Sequence, residues 1–233
     1  MKVNNKEIPW SHVSHYKNYS IGLCVSFHEL ISQLDEQTLE HLVGEIFPMA
    51  ARAFSISQSS EFYEDVREHI IVADMLAVCS SNNQVIGFAS VRDMVELDTF
   101  FLYGVAVEPT AQHLGVASIL ISSLLEKSSR RRIAFTTQNP KMFCLLKKYA
   151  RKCFPSPDEQ NVYHEEMVYG AKLMSKRHGE FDPSTFVSKN LYQNCLYPEI
   201  QPTADANVNQ WFWRSLEIQD GRTRHGFLLC GER

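Results

Sequence analysis

The chain has 233 residues, 44% of them hydrophobic and 21% charged, which is enough to bury a core of its own. A net charge of -4 without a basic tail argues against nucleic acid as a partner. The first twenty residues lack the apolar centre of a signal peptide, and no run approaches the roughly 18 apolar residues of a membrane span, so a cytoplasmic protein without a membrane partner is expected.

Six cysteines (Cys24, Cys79, Cys144, Cys153, Cys195 and Cys230) lie far apart without a C-x-x-C pair. They read as reduced thiols, mostly buried, and no metal site is expected.

Along the chain, "IGLCVSFHEL" is short and β-rich. Asp35 follows as the N-cap of a helix whose apolar face is Leu39, Leu42, Val43 and Ile46, and Pro48 is expected to kink or end it. "SQSSEFYEDVREHI" carries Glu61, Glu64, Asp65 and Glu68, which suits an exposed helix face or an acidic lip beside a pocket. "MLAVCS" and "VIGFASVRDMV", divided by "SNNQ", read as an antiparallel hairpin. "TFFLYGVAV" is the longest β-type run, apolar on both faces and expected to lie centrally, with Gly104 permitting a bulge or a close approach.

Next comes "VEPTAQHLGVASIL", a strand end, a proline-punctuated turn and an apolar helix over residues 114–127. Between Glu108 and Glu126 there is no acidic residue and no lysine or arginine, although a helix start normally recruits a carboxylate to its free amides. Arg130, Arg131 and Arg132 then either complement the helix C-terminus or offer one guanidinium to a phosphate. "RIAFTTQ" is another strand, and "NPKMFCLLKKY" opens a helix with Asn139 as N-cap, Pro140 at its first position and Met142, Leu145, Leu146 and Tyr149 on one face. A helical pattern spans 158–176, with His164, Glu165 and Glu166 on a solvated face. Beyond it "YPEIQPTADAN" reads as a long flexible loop, "QWFWRSL" as an aromatic anchor, and "GFLLCGE" as a final strand in the same sheet.

The pattern Val107-x-Pro109-x-x-Gln112-x-x-Gly115-x-Ala117, after a long strand and before an apolar helix, resembles the acetyl-CoA-binding motif of the GNAT family of N-acetyltransferases. The order of elements over residues 21–154 is similar too. The resemblance implies an α+β acyl-CoA N-acyltransferase fold: a twisted, mixed but mostly antiparallel central sheet flanked by helices. Residues 1–20 then form an extension, 21–154 the acetyl-CoA-binding core, and 155–233 the part completing the same domain.

It also implies the ligand. Backbone amides of Gln112, His113, Leu114, Gly115, Val116 and Ala117 meet the pyrophosphate of acetyl-CoA, and main-chain groups of Val105, Ala106 and Val107 bond the pantetheine arm, with Asn139 beside it. A second reading of Gly115 and Ala117 is tight helix-to-strand packing.

The family reaction moves an acetyl group to a primary amine of a small molecule or peptide. Here Phe101 stands where some members place a strand glutamate, and Leu146 where many place a tyrosine. Tyr149, one turn on, is the substitute proton donor, and the base is left among Glu96, Asp98 and Tyr103 or a water relay. Residues 61–65 are expected to wall the acceptor side. The alternative is a non-catalytic acyl-CoA-binding or regulatory module.

Overall fold

The computed structural model describes residues 2–3, 6–159, 162–177 and 179–233. The chain divides into two compact units, one of Met1–Asp93 with Phe100–Ser129 and one of Met94–Thr99 with Arg130–Arg233.

The first unit begins with two short paired strands, β1 (Lys2–Val3) and β2 (Lys6–Glu7). Its main elements follow in the order β3 (His12–Tyr16), β4 (Tyr19–Cys24), α1 (Phe27–Ile31), α2 (Glu36–Phe54), α3 (Ser60–Ile71), β5 (Met75–Ser81), β6 (Gln84–Met94), β7 (Thr99–Val107) and α4 (Val116–Leu125). Strands β3 to β6 pair antiparallel with their sequence neighbours, and β7 lies beside β6. The turn from β5 to β6 places Asn82 at φ 51° and Asn83 at φ 63°, the two left-handed residues that a two-residue hairpin demands. At 11 residues β6 exceeds the 9 of β7, so the strand expected to be longest is second. A glutamine, an arginine and an aspartate near its ends hide the length of β6 from a search for apolar runs.

Helix α2 starts where expected: Asp35 Oδ1 accepts the Thr38 N–H at 2.7 Å. It does not end at Pro48 but continues to Phe54. An interior proline costs about 3 kcal/mol. Burying each of Ile46, Met49 and their neighbours in the core contributes on the order of 1.5–3 kcal/mol, so packing outweighs the lost bond. The acidic segment forms α3, whose Ser59 cap accepts the Phe62 N–H at 3.2 Å. Its inner side is tied to α2: Phe47 packs against Phe62 and Tyr63 with centroids 6.0 and 5.2 Å apart, while Tyr63 Oη and Arg67 Nε both donate to Glu40.

In the second unit β8 (Arg132–Thr137) is followed by α5 (Pro140–Leu146), β9 (Lys152–Phe154), α6 (His164–Met174), β10 (Glu180–Asp182), β11 (Val187–Lys189), α7 (Ala206–Ser215) and β12 (Gly226–Glu232). The expected final strand is β12, which runs antiparallel to β8 and also pairs with β9 and β11. The aromatic segment is a helix, α7, and it does anchor the strand: the Trp211 and Phe212 rings lie 4.4 and 4.9 Å from that of Phe227.

The proline-rich stretch before α7 has no regular structure, yet it is tied down. Ile200 is buried and donates its N–H to Gly221 at 2.8 Å, and Thr203 bonds Asn209. Of the helical pattern over 158–176, α6 is realised, and Gln160 and Asn161 lie outside the described residues. Glu166 is not on a solvated face: it accepts from Lys152 Nζ at 2.7 Å and from the Tyr163 N–H at 3.0 Å. Among the described residues no helix is long and apolar enough to cross a membrane.

Two outcomes test this packing. Phe212→Ala is expected to cost about 3–5 kcal/mol in denaturant unfolding, since its ring is fully buried against Phe227. The Tyr63 bond, then Arg67, hold the Glu40 carboxyl below its usual range. A depressed carboxyl stabilises the fold above the unfolded value of about 4.3, and that contribution is lost as the pH falls through the folded value. Melting temperatures between about pH 6 and 3 should therefore fall more steeply for the wild type than for Glu40→Gln.

Candidate functional site

The turn from β7 into α4 is built by two left-handed residues. A short 3-10 turn, Pro109–Ala111, bends the chain after Glu108, whose carbonyl accepts the Ala111 and Gln112 N–H groups at 2.8 and 3.1 Å. His113 follows at φ 66° and Gly115 at φ 85°, and α4 begins at Val116. Gln112 Nε2 donates back to the Val107 carbonyl at 3.2 Å, so its side chain braces the turn. Gln112, His113, Leu114 and Gly115 are exposed, Ala117 is half-buried and Val116 is buried.

Gly115 serves as the N-cap of α4 and has no side chain to accept an amide, and no acidic residue stands in the first turn. The first amides of a helix need acceptors from outside it, and here no side chain before the helix and no acidic residue of its first turn supplies one. A Cβ built on Gly115 meets nothing within 4 Å. The tight-packing reading therefore fails at Gly115: the residue is glycine for its backbone conformation, and the space above it is open. The packing glycine is Gly87 on β6, which the sequence reading passed over. A Cβ there would lie 3.1 Å from Val116 Cγ1 and 3.2 Å from the Ala106 carbonyl oxygen. An isolated glycine inside a strand run was the available signal.

One carboxylate stands at the head of the turn, and it is neutralised. Arg52 near the end of α2 donates to Glu108 through Nε at 3.0 Å and through Nη2 at 2.7 Å. No local pattern announces a pair 56 residues apart in sequence.

On β7, Ala106 and Val107 are buried and Val105 half-buried. Gly104 is a point of close approach rather than a bulge, because a Cβ there would lie 2.8 Å from His69 Cδ2 of α3 and 3.1 Å from Ser90 Oγ of β6. The His69 ring also packs on Tyr103 with centroids 4.6 Å apart, and the Tyr103 hydroxyl donates to Glu68 at 3.3 Å. On the same helix, Glu61, Glu64 and Asp65 are exposed, Phe62 is half-buried, and burial together with the Glu40 bond pushes the Tyr63 phenol up to about 12.

The second unit places the remaining expected residues. Asp98 is paired with Arg131, whose hydrogen bond holds its carboxyl below the usual range. Arg132 lies over the Tyr169 ring at 4.6 Å. The arginine run follows α4 by several residues and sits at the start of β8, so Arg131 and Arg132 are engaged by Asp98 and Tyr169 instead of capping a helix end.

Asn139 is the N-cap of α5, accepting the Lys141 N–H at 2.9 Å. It also bonds the phenol of Tyr197, whose burial raises it to about 12 against that bond. Helix α5 closes at Leu146, with Phe143 and Leu146 as its buried side chains. Tyr149 therefore lies past the helix, in a turn where its N–H donates to the Leu146 carbonyl at 2.9 Å, and does not continue the helical face expected for it. Thiols are free at all six positions, with Cys24, Cys79 and Cys230 buried.

Residues 38–142 match the model of the acetyltransferase (GNAT) family. The chain carries a GNAT acetyltransferase domain. The matched span holds α2, α3, the hairpin, β7, the glycine turn and α4, and the chain has the GNAT fold, a mostly antiparallel sheet flanked by helices.

No curated protein matches this chain. Among solved structures it is similar to a GNAT family acetyltransferase from Elizabethkingia anophelis with acetyl-CoA bound, at 13% identity over 94% of this chain and 100% of that one, with a TM-score of 0.46. It is also similar to IAA acetyltransferase from Bacillus cereus, at 11% identity over 92% and 99%, with a TM-score of 0.47. An aminoglycoside 6'-N-acetyltransferase complexed with coenzyme A matches at 13% identity with a TM-score of 0.38, over 44% of this chain and only 59% of that enzyme's length.

The conformation of the turn makes a direct prediction. Gly115→Ala should destabilise the GNAT domain by about 1–2 kcal/mol, the cost of a left-handed backbone for a residue with a Cβ. Thermal unfolding should find no larger loss, since nothing stands in the way of the added methyl group.

Proposed function

We propose that this protein transfers the acetyl group of acetyl-CoA to a primary amine. The observation that carries the reading is the N-terminus of α4, which begins on a left-handed glycine without a side-chain acceptor, without a charge in its first turn, and with open space above it. Amides of residues 112–117 would hold the pyrophosphate, and the main chain of Val105, Ala106 and Val107 the pantetheine arm. The helix end alone supplies on the order of 0.3–2 kcal/mol, whereas micromolar affinity needs about 8 kcal/mol. The bonds along β7 are therefore required as well as the turn.

Arg52 fits the same reading. An unpaired carboxylate at position 108 would face the incoming phosphates, and the guanidinium removes that repulsion.

A non-catalytic acyl-CoA-binding module is the second reading. It is favoured by buried Phe101 and Leu146 standing where the family motif places acid–base groups, and by the occupation of the Asn139 carboxamide as a cap. Tyr149 remains the proposed proton donor to the thiolate in the catalytic reading. Tyr149→Phe should then lower turnover without altering the acetyl-CoA affinity.

Calorimetric melting provides the test. Acetyl-CoA at about 100 times its dissociation constant should stabilise the protein by about 2.7 kcal/mol. Gly115→Asp should remove the shift from a folded protein, and Arg52→Met should reduce it by exposing Glu108. A wild-type melting curve that saturating acetyl-CoA leaves unmoved overturns the assignment. A clear shift with no CoA release across an amine panel selects the binding module.

A further inference from the structure

An amine acceptor reaches neutral pH almost wholly as its ammonium form, since a lysine-like amine titrates near 10.4, and an ammonium nitrogen has no lone pair with which to attack a thioester. A base is needed beside the acetyl-carrying strand. Of the positions considered in sequence, Phe101 is apolar and buried, Asp98 is held by Arg131, Tyr103 is bonded to Glu68, and Glu96 is exposed on the turn before β7.

The first unit does hold one titratable group against β7 that no motif announced. His69 projects from the last turn of α3 onto Gly104, and the absence of a side chain there is what admits the imidazole, since a Cβ would stand 2.8 Å from its Cδ2. Its Nδ1 lies 2.7 Å from the carbonyl oxygen of Asp65. A carbonyl oxygen only accepts, so Nδ1 carries the hydrogen and Nε2 keeps its lone pair. Among the described residues nothing is bonded to Nε2.

Three neighbours complete the arrangement. The Asp65 carboxylate, itself exposed, lies 3.8 Å from Nδ1, on the side of the hydrogen that fixes the tautomer. The Tyr103 ring of β7 packs on the imidazole, and its hydroxyl is bonded to Glu68. From β6 comes Ser90 Oγ, fully buried, without a hydrogen-bond partner and 3.1 Å from the same Cβ position above Gly104. Buried hydroxyls are seldom left unpaired, so this spot lacks a polar partner that the protein does not supply. The remaining charged pair of α3, Arg67 with Glu40, is engaged on the side facing α2.

Resting on the acetyl-transfer reading above, we infer that His69 is the general base of the reaction and Asp65 its positioning residue. Nε2 removes one proton from the acceptor ammonium. The neutral amine then forms the C–N bond to the acetyl carbon as the C–S bond breaks. The departing thiolate takes a proton from Tyr149 to give CoA as its thiol, the second proton of the amine nitrogen passes back to Tyr149, and His69 returns its proton to solvent.

Three measurements separate the outcomes. Long-range proton–nitrogen NMR of histidine-labelled wild-type protein is expected to find His69 protonated on Nδ1, with Nε2 as the nitrogen that titrates. The opposite tautomer overturns the assignment whatever any variant does. The acetyl-CoA melting shift should survive His69→Gln and Asp65→Asn, and its absence from the wild type overturns the acetyl-transfer reading itself rather than the base alone.

With spermidine, L-lysine and an alanyl tripeptide as acceptors, His69→Gln should lower kcat about 100- to 10,000-fold. It should also abolish the fall of kcat/KM on the acid side, where the imidazolium no longer takes a proton. Asp65→Asn should give a smaller loss of kcat with KM unchanged. A His69→Gln enzyme that keeps its rate and its acid limb overturns the proposal, and so does a wild type that binds acetyl-CoA yet releases CoA to none of these amines.

Discussion

The first amides of α4 need acceptors, and the protein places none among the side chains that precede them. Gly115 is the reason: its φ of 85° turns the chain into the helix at a point where any capping side chain would require a strained backbone. The surroundings are arranged to keep that end electrically open. Glu108 is drawn away by Arg52, Gln112 folds back on the Val107 carbonyl, and Gly87 lets α4 settle closely enough on the sheet to fix where its amides point. Binding an anion at a position set by packing needs little reorganisation, which is what a helix terminus offers over a flexible basic side chain.

The strand before the turn carries a second glycine with a different purpose. Gly115 provides conformational freedom over empty space, whereas Gly104 provides room for an imidazole. The two are separated by a single turn and half a strand, so one short stretch of chain brings the proposed place for phosphates and the His69 ring into the same unit. The acidic face of α3 completes this side: Glu61, Glu64 and Asp65 are exposed, and Glu40 is consumed by Tyr63 and Arg67 in holding α3 to α2.

What was legible in the sequence was local. Asp35 and Asn139 as caps, the Asn82–Asn83 turn, the charge-free start of α4 and the strand at 226–232 each depend on residues within a few positions of one another. Pro48 does not end α2, because a local cost of about 3 kcal/mol is opposed by the core around Ile46 and Met49, which local sequence does not display. Tyr149 was placed on a helical face because nothing in "LLKKY" marks the point at which α5 stops. Arg52 with Glu108, Glu40 with Tyr63 and His69 over Gly104 join residues tens of positions apart, and no periodicity encodes such meetings. The last of these left one trace, a glycine inside an apolar strand, which was noticed without its partner.

Strand β12 pairs with β8, β9 and β11, although it is made from residues 226–232. As the chain leaves the ribosome, β8 emerges some ninety residues ahead of the strand that is to lie against it. Its hydrogen-bonding edge must wait in the meantime, because it is closed by those seven residues. Pairings that distant are slow to form and leave strand edges open to other chains. The first unit's meander from β3 to β6 joins strands closer together in sequence, so these strands can pair while β8 still waits for β12.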